Sequence, residues 1–196
     1  MRNELKEPRL AKPGAGLPFF EWVVAKYIIM PARFKNVNQQ TAIEDYVRES
    51  ALIQKLVDGL SVESISERRL IPRLRGLEDS SRFWSVSMTL EHLIIVIRQM
   101  QSTIIELSEG RKIDHITTIA EVKPTGGLQS SDIRSEFARV TSSFVAAMEN
   151  LNLEKHPAVT HAHPWFGELN AKEWLSFAAP HQSIHRKQIE EIIRRL

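Results

Sequence analysis

The segment between Ser80 and Ser108 constrains the fold of this chain more than any other. Apolar residues occupy most positions around its helical circumference, where a surface helix would carry one polar face. It therefore predicts a helix that is buried on nearly all sides, capped by Ser80 or Ser81 and ended by Gly110. Such a helix needs other elements to cover it.

Three further segments carry the helical spacing of apolar residues that this covering requires. They run from Asn38 to Leu60, from Asp132 to about Leu151, and from Asn170 to the C-terminus. Long connections join them, and no clear strand pattern is present between them. The sequence therefore predicts an all-α protein built as a four-helix bundle with long inter-helix loops.

The N-terminal part predicts one additional short helix ahead of the bundle. Residues 17–30 are apolar enough to be buried or half-buried, and Pro31 should stop the helix because proline disfavours helical geometry in the residue before it. Residues 1–16 are charged and contain prolines, which indicates a polar tail and not a secretory signal. We therefore expect a tail at 1–16 and a single domain at 17–196.

Composition narrows the classes of partner and compartment. The 196 residues suffice for one domain with a real core. The net charge is only +2, and basic residues are spread among acidic ones. We therefore expect no nucleic-acid partner, although the pI is near 9.0. DNA association stays a weaker alternative. The apolar segment at 17–30 is too short to span a bilayer. The absence of cysteine excludes disulfides and thiolate ligands and fits a cytoplasmic protein.

Three of the seven histidines lie in strongly periodic helical segments. His181 and His185 are four positions apart, so both lie on one helix face, one turn apart. His92 lies in the most buried helix, where an unpaired polar group would cost about 1–3 kcal/mol. Three inward histidines from two packed helices could hold a divalent metal ion with open coordination positions. From spacing alone, an ordinary core or surface role for each histidine is the more common explanation, and the metal site is the alternative.

The residues around these histidines resemble a known family. The segment His163–Trp174, read as HPWFGELNAKEW, and the His181, His185 and Gln188 that follow it resemble the C-terminal signature of the DinB/YfiT-like superfamily. The segment from Trp84 to Leu93 is similar to the second helix of that family. The resemblance implies a four-helix bundle with an unusual crossover order. It also implies a zinc or nickel ion held by His92, His181 and His185 in an open-ended pocket.

The same resemblance implies a class of activity. Characterised relatives include thiol-dependent S-transferases and isomerases acting on small molecules. The resemblance therefore implies a metal-dependent transferase that uses a low-molecular-weight thiol. Metal-assisted hydrolysis is the second option. No catalytic residue is assigned, although Glu168 is an alternative general base. A different class remains open, a non-catalytic helical module that binds a partner or forms a homodimer through the apolar helix at 17–30.

Pro180 is the point at which the sequence departs from the family pattern. It lies inside the predicted last helix and directly precedes His181. Its missing N–H removes the backbone bond to Ser176, which predicts a kink or a restart of the helix there. The predicted roles of His161 and His163 are loop packing or a position at the rim of the pocket.

Overall fold

The chain is described here by a computed structural model that covers residues 7–126 and 132–196. Helices dominate both ranges. The α-helices are α1 (Phe19–Val24), α2 (Met30–Asn36), α3 (Gln39–Asp58), α4 (Val62–Ser66), α5 (Val86–Ser108), α6 (Ile133–Glu149) and α7 (Ala171–Ile193). The strands are β1 (Arg69–Leu70), β2 (Phe83–Trp84), β3 (His161–His163) and β4 (Gly167–Leu169), which form two separate antiparallel pairs, β1 with β2 and β3 with β4.

The four long helices α3, α5, α6 and α7 pack as a bundle. Helix α7 contacts α3 and α5, and α6 contacts the same two helices on the other side. The first two long helices of the chain, α3 and α5, therefore lie diagonally opposite each other, which requires a crossover connection. This arrangement confirms the predicted all-α four-helix bundle.

Helix α5 is the central element of the core, as its sequence predicts. Leu90, Leu93, Ile94 and Ile104 are all fully buried. The predicted start was wrong, however, because Ser85 and not Ser80 or Ser81 caps the helix, its Oγ accepting from the backbone N–H of Met88 at 3.1 Å. The preceding residues are drawn into a 3₁₀ turn at Asp79–Ser81 and into strand β2.

The N-terminal helix differs from its prediction in two ways. It continues through Pro31 to Asn36, because a π-helical segment at Ala25–Ile29 precedes α2 and Pro31 falls in the first turn of α2, where a missing N–H costs little. It is also largely exposed and not buried: large apolar side chains face solvent at Phe19, Phe20, Tyr27, Ile28 and Ile29. The four bundle helices already cover one another, so this helix contacts them along one edge only.

Helix α7 runs without interruption through Pro180. Of the predicted kink or restart at this residue, the restart was therefore wrong, and the kink stays a prediction. The carbonyl oxygen of Ser176, which the missing N–H of Pro180 leaves free, accepts a hydrogen bond of 2.6 Å from Nε of Arg33. Arg33 is itself held by Asp45 at 3.0 Å. A side chain thus supplies the donor that proline lacks.

The start of α7 agrees with its prediction, and the preceding segment adds a hairpin. The Asn170 side chain accepts from the backbone N–H of Glu173, and the Glu173 carboxylate accepts from the backbone N–H of Asn170, which completes the capping box. Strands β3 and β4 pair His161 with Leu169 and His163 with Gly167. The hairpin therefore places the HPWFG residues beside the first turns of α7.

The N-terminal residues that the structure describes lie against the bundle. The backbone N–H of Ala11 donates to the Asp79 carboxylate at 2.7 Å. The division into a tail at 1–16 and one domain at 17–196 stays a prediction, and residues 1–6 lie outside the described ranges. In the part of the chain that the structure covers, no helix is both long and apolar enough to cross a bilayer.

Candidate metal centre

The structure brings together the three histidines that the sequence singles out. His92 comes from α5 and His181 and His185 come from α7, which packs directly against α5. One ring nitrogen from each of the three lies within 4.8 Å of the others. The Nε2 atoms of His92 and His181 are 3.3 Å apart. This spacing is compatible with three imidazoles that share one ion.

Hydrogen bonds fix the protonation of two of the three rings. His92 Nδ1 lies 2.6 Å from the carbonyl oxygen of Val122, which can only accept, so this nitrogen carries the proton. His185 Nδ1 lies 2.7 Å from Oε1 of Gln188. The Gln188 amide is oriented by its own donation from Nε2 to the carbonyl oxygen of Ser81 at 2.7 Å. Both rings therefore present an unprotonated Nε2, the form in which histidine binds metals.

The protein alone does not satisfy this cluster. His181 can supply at most one proton to its two neighbours, so at least one of the converging lone pairs lacks a donor within the triad. The Nδ1 atom of His181 is buried and has no hydrogen-bond partner among the described residues. A divalent cation accepts several nitrogen lone pairs at once, so the donor set fits such an ion.

Burial keeps all three imidazoles neutral at neutral pH. It lowers the pKa of His92 to about 4, against a smaller opposing effect of the Val122 carbonyl. Burial also holds the pKa values of His181 and His185 well below the ordinary histidine value, and the neighbouring imidazoles add to the effect. A metal ion therefore does not compete with protons for these nitrogens near pH 7.

A cation beside the triad was not anticipated from the sequence. The ammonium of Lys123 donates to the hydroxyls of Ser80 and Ser81 at 2.7 and 3.2 Å and lies 3.8 Å from the Glu78 carboxylate. It also lies 4.9 Å from the ring centre of Trp84. Burial lowers the pKa of Lys123, although Glu78 partly opposes this shift. Lys123 is therefore a positive charge held at the edge of the site.

The triad lies in the lining of a cavity of about 740 Å³. Both hairpin histidines also line it: His161 stacks on Trp174, and His163 packs among Phe166, Trp174 and Phe177. Burial lowers the pKa of His163 to about 3. These contacts agree with the predicted packing role and also with a position on the pocket lining.

The remaining candidates lie away from the cavity. Glu168 is exposed, accepts from the Thr160 hydroxyl at 2.8 Å and is not part of the lining, so the alternative of a general base at this position was wrong. His115 is exposed and contacts Glu121. His156 packs beside Gly110, where the φ of 81° favours glycine and a Cβ would lie only 3.1 Å from the imidazole ring.

The comparisons with known proteins agree with this architecture. The model of the DinB family matches residues 35–196. The solved structure of a mycothiol-dependent maleylpyruvate isomerase superposes with a TM-score of 0.62 at 12% sequence identity, over 81% of this chain and 63% of the isomerase. This likeness shows a shared fold, and the chain spans less than two thirds of the isomerase.

One curated relative is a much longer protein than this chain. The chain is 24% identical over 199 residues to a subunit of the A-type ATP synthase of Methanospirillum hungatei JF-1. The match covers 93% of this chain but 34% of that ATP synthase protein, so the chain spans about a third of its length. The family assignment therefore depends on the match over residues 35–196, which includes all three histidines. On that match, the chain belongs to the DinB family.

Proposed function

We propose that this protein binds a divalent metal ion, zinc or nickel, through His92, His181 and His185, and uses it in a reaction on a small molecule. The observation that carries the proposal is the convergence of three neutral imidazole nitrogens, two of them with their protons fixed on the far side of the ring. A purely structural cluster of histidines would not need a nitrogen from each of three buried rings within 4.8 Å of the others.

The residues around the triad have separate tasks in this proposal. Val122 and Gln188 hold the rings of His92 and His185 in the orientation that exposes Nε2. A divalent ion bound there would supply Lewis acidity, which brings the pKa of a bound thiol or water molecule down toward neutral pH. Lys123 adds a positive charge that favours an anionic reactant in the cavity. The aromatic rings of the hairpin give the cavity part of its apolar lining.

Within this class, we favour a transferase that uses a small-molecule thiol. The chain contains no cysteine, so a sulfur nucleophile has to come from a bound molecule. The structural neighbour is described as mycothiol-dependent, which supports a thiol without identifying the one used here. Metal-assisted hydrolysis is the second option, since the same Lewis acidity activates water.

Metal analysis of protein purified without an affinity tag tests the proposal. We expect about one zinc or nickel ion per chain, because three imidazoles form a complete protein ligand set for an open site. His181→Ala should remove most of the bound metal, and His115→Ala should retain it, since His115 is exposed and belongs neither to the triad nor to the cavity lining. Folded wild-type protein that neither contains nor takes up zinc or nickel would refute the proposal.

A second candidate function follows from the exposed N-terminal helix. Phe19, Tyr27 and Ile28 are 68%, 62% and 63% exposed, which is unusual for apolar side chains on one short segment. A non-catalytic module that forms a homodimer through this face would explain them. Sedimentation analysis separates the two candidates, because a strictly monomeric protein that binds metal argues against the second.

A further inference from the structure

We propose that the cavity next to the histidine triad binds a small molecule with a hydrocarbon chain or ring, and that the segment Leu17–Met30 forms the wall that selects it. The proposal deepens the function given above, because it names the class of substrate for the same site. It rests on that function only in taking the cavity beside the triad as the functional site. The wall and its apolar side chains are present whether or not a metal is bound.

The proposed wall lies outside the part of the chain that the family model matches. The match begins at residue 35, whereas Leu17, Phe20, Val24 and Ile29 all line the cavity that also contains His92, His181 and His185. The wall therefore joins a site whose three histidines all lie inside the matched region.

Hydrogen bonds hold the wall in place. Nε1 of Trp22 donates to the carbonyl oxygen of Trp165 in the hairpin at 2.8 Å. The Glu21 carboxylate accepts from the backbone N–H of Gly76 and pairs with Arg73. Just ahead of the wall, the backbone N–H groups of Gly14 and Gly16 donate to the buried carboxylate of Glu78. Trp22 and Glu21 thus anchor the segment to the hairpin and to the loop at Gly76.

Three apolar side chains of the wall are largely without protein cover. Phe20 is 81% exposed, Ile29 56% and Val24 43%, although all three line the cavity. Phe166 and Phe177 line the same cavity from the hairpin and α7. An apolar ligand between these surfaces would remove them from water, which is the main driving force for binding such a ligand.

The cavity dimensions favour a small molecule over a second copy of the chain. Its volume of about 740 Å³ lies within the range of small-molecule sites, and its lining extends inward to the buried His92 and His185. A flat helix-to-helix contact would cover Phe20 but would leave this inner part empty. The ligand we infer therefore extends from the triad to the N-terminal helix.

Titration of the zinc-loaded protein with straight-chain carboxylates from butyrate to dodecanoate tests the proposal. Calorimetry measures affinity directly, and tryptophan fluorescence reports on Trp84, Trp165 and Trp174, which line the cavity. Since the carboxylate is the same throughout the series, any contact that it makes is constant. We expect affinity to rise about threefold to fourfold per added methylene until the cavity is filled.

Two adjacent phenylalanines provide a matched pair of variants. Phe20 lines the cavity and Phe19 does not, and both are strongly exposed, so neither Phe20→Asp nor Phe19→Asp should unfold the protein. We expect Phe20→Asp to weaken decanoate binding at least tenfold and Phe19→Asp to change it less than twofold. Thermal unfolding and zinc content should stay the same in both variants.

Three results would overturn the proposal: affinity that does not depend on chain length, equal effects of the two substitutions, or a dimer that buries Phe20 and binds no decanoate.

The same titration on zinc-free protein separates this inference from the proposed function. If no preparation binds metal but the chain-length dependence persists, the metal proposal fails and the apolar site stands. If metal binds and no chain-length dependence appears, the apolar-site proposal fails and the metal proposal stands.

Discussion

At the scale of single residues, His92 and His185 each depend on a hydrogen-bond partner. One of these partners could be predicted from the sequence and the other could not. Gln188 lies three positions after His185, so helical spacing places the two side chains on one face. The Val122 carbonyl holds His92 from 30 residues further along the chain, in a segment without regular structure. A backbone carbonyl carries no residue-type signal, and no pattern predicted that contact.

Removing the Gln188 side chain should loosen the metal site. Gln188→Ala leaves the Nδ1–H of His185 and the carbonyl oxygen of Ser81 unpaired in a buried position, so the imidazole loses its orientation. We expect zinc affinity to fall about tenfold to a hundredfold, measured by competition with a chromophoric chelator.

The conservative variant separates orientation from general stability. Gln188→Glu keeps an acceptor for His185 but replaces the donor to Ser81 with a buried carboxylate. Zinc affinity should therefore recover to within a few-fold of wild type while the protein stays less stable. If Gln188→Ala bound zinc as tightly as wild type, the role assigned to Gln188 would be wrong.

At the scale of elements, the long helices were predictable and their irregular points were not. Apolar periodicity identified α3, α5, α6 and α7 because each buries one continuous surface. The start of α5 was misplaced, since pairing of β2 with β1 is a tertiary contact that local spacing does not encode. The continuation through Pro31 was also missed, because no sequence pattern indicated the π-helical segment before it. The unbroken course through Pro180 depends on a side chain from another helix, Arg33, which local spacing does not encode.

The compensation at Pro180 can be measured by a double-mutant cycle. In the wild-type protein, Arg33→Met removes the donor to the Ser176 carbonyl, which proline cannot replace. Pro180→Ala restores a backbone N–H at position 180, so the same Arg33→Met change should cost about 1 kcal/mol less in that background. Loss of the Arg33–Asp45 ion pair is common to both backgrounds and cancels.

Urea unfolding of the four proteins at pH 7 gives the coupling energy. All should be measured without metal, so that changes in zinc affinity do not enter the free energy of unfolding. Equal costs of Arg33→Met in the two backgrounds would mean that the Arg33 bond to Ser176 does not compensate for the proline.

At the scale of the whole molecule, the order of the helices makes the site possible. Helices α3 and α5 lie on one diagonal of the bundle, so α7 packs between them and its histidines meet His92. Sequence periodicity cannot specify which helices become neighbours, because every amphipathic face is compatible with several partners. The family resemblance implied an unusual crossover order without naming the neighbouring helices, which the structure shows. The cavity wall formed by the N-terminal helix lies outside the matched region and could not be predicted from the resemblance.

The most direct test of the metal centre is a crystal structure of the zinc-loaded protein with anomalous diffraction data on both sides of the zinc absorption edge. We predict one strong anomalous peak within about 2.0–2.1 Å of a ring nitrogen from each of His92, His181 and His185. No peak at the triad in protein that contains zinc, or a peak held by other residues, would contradict the proposed metal centre.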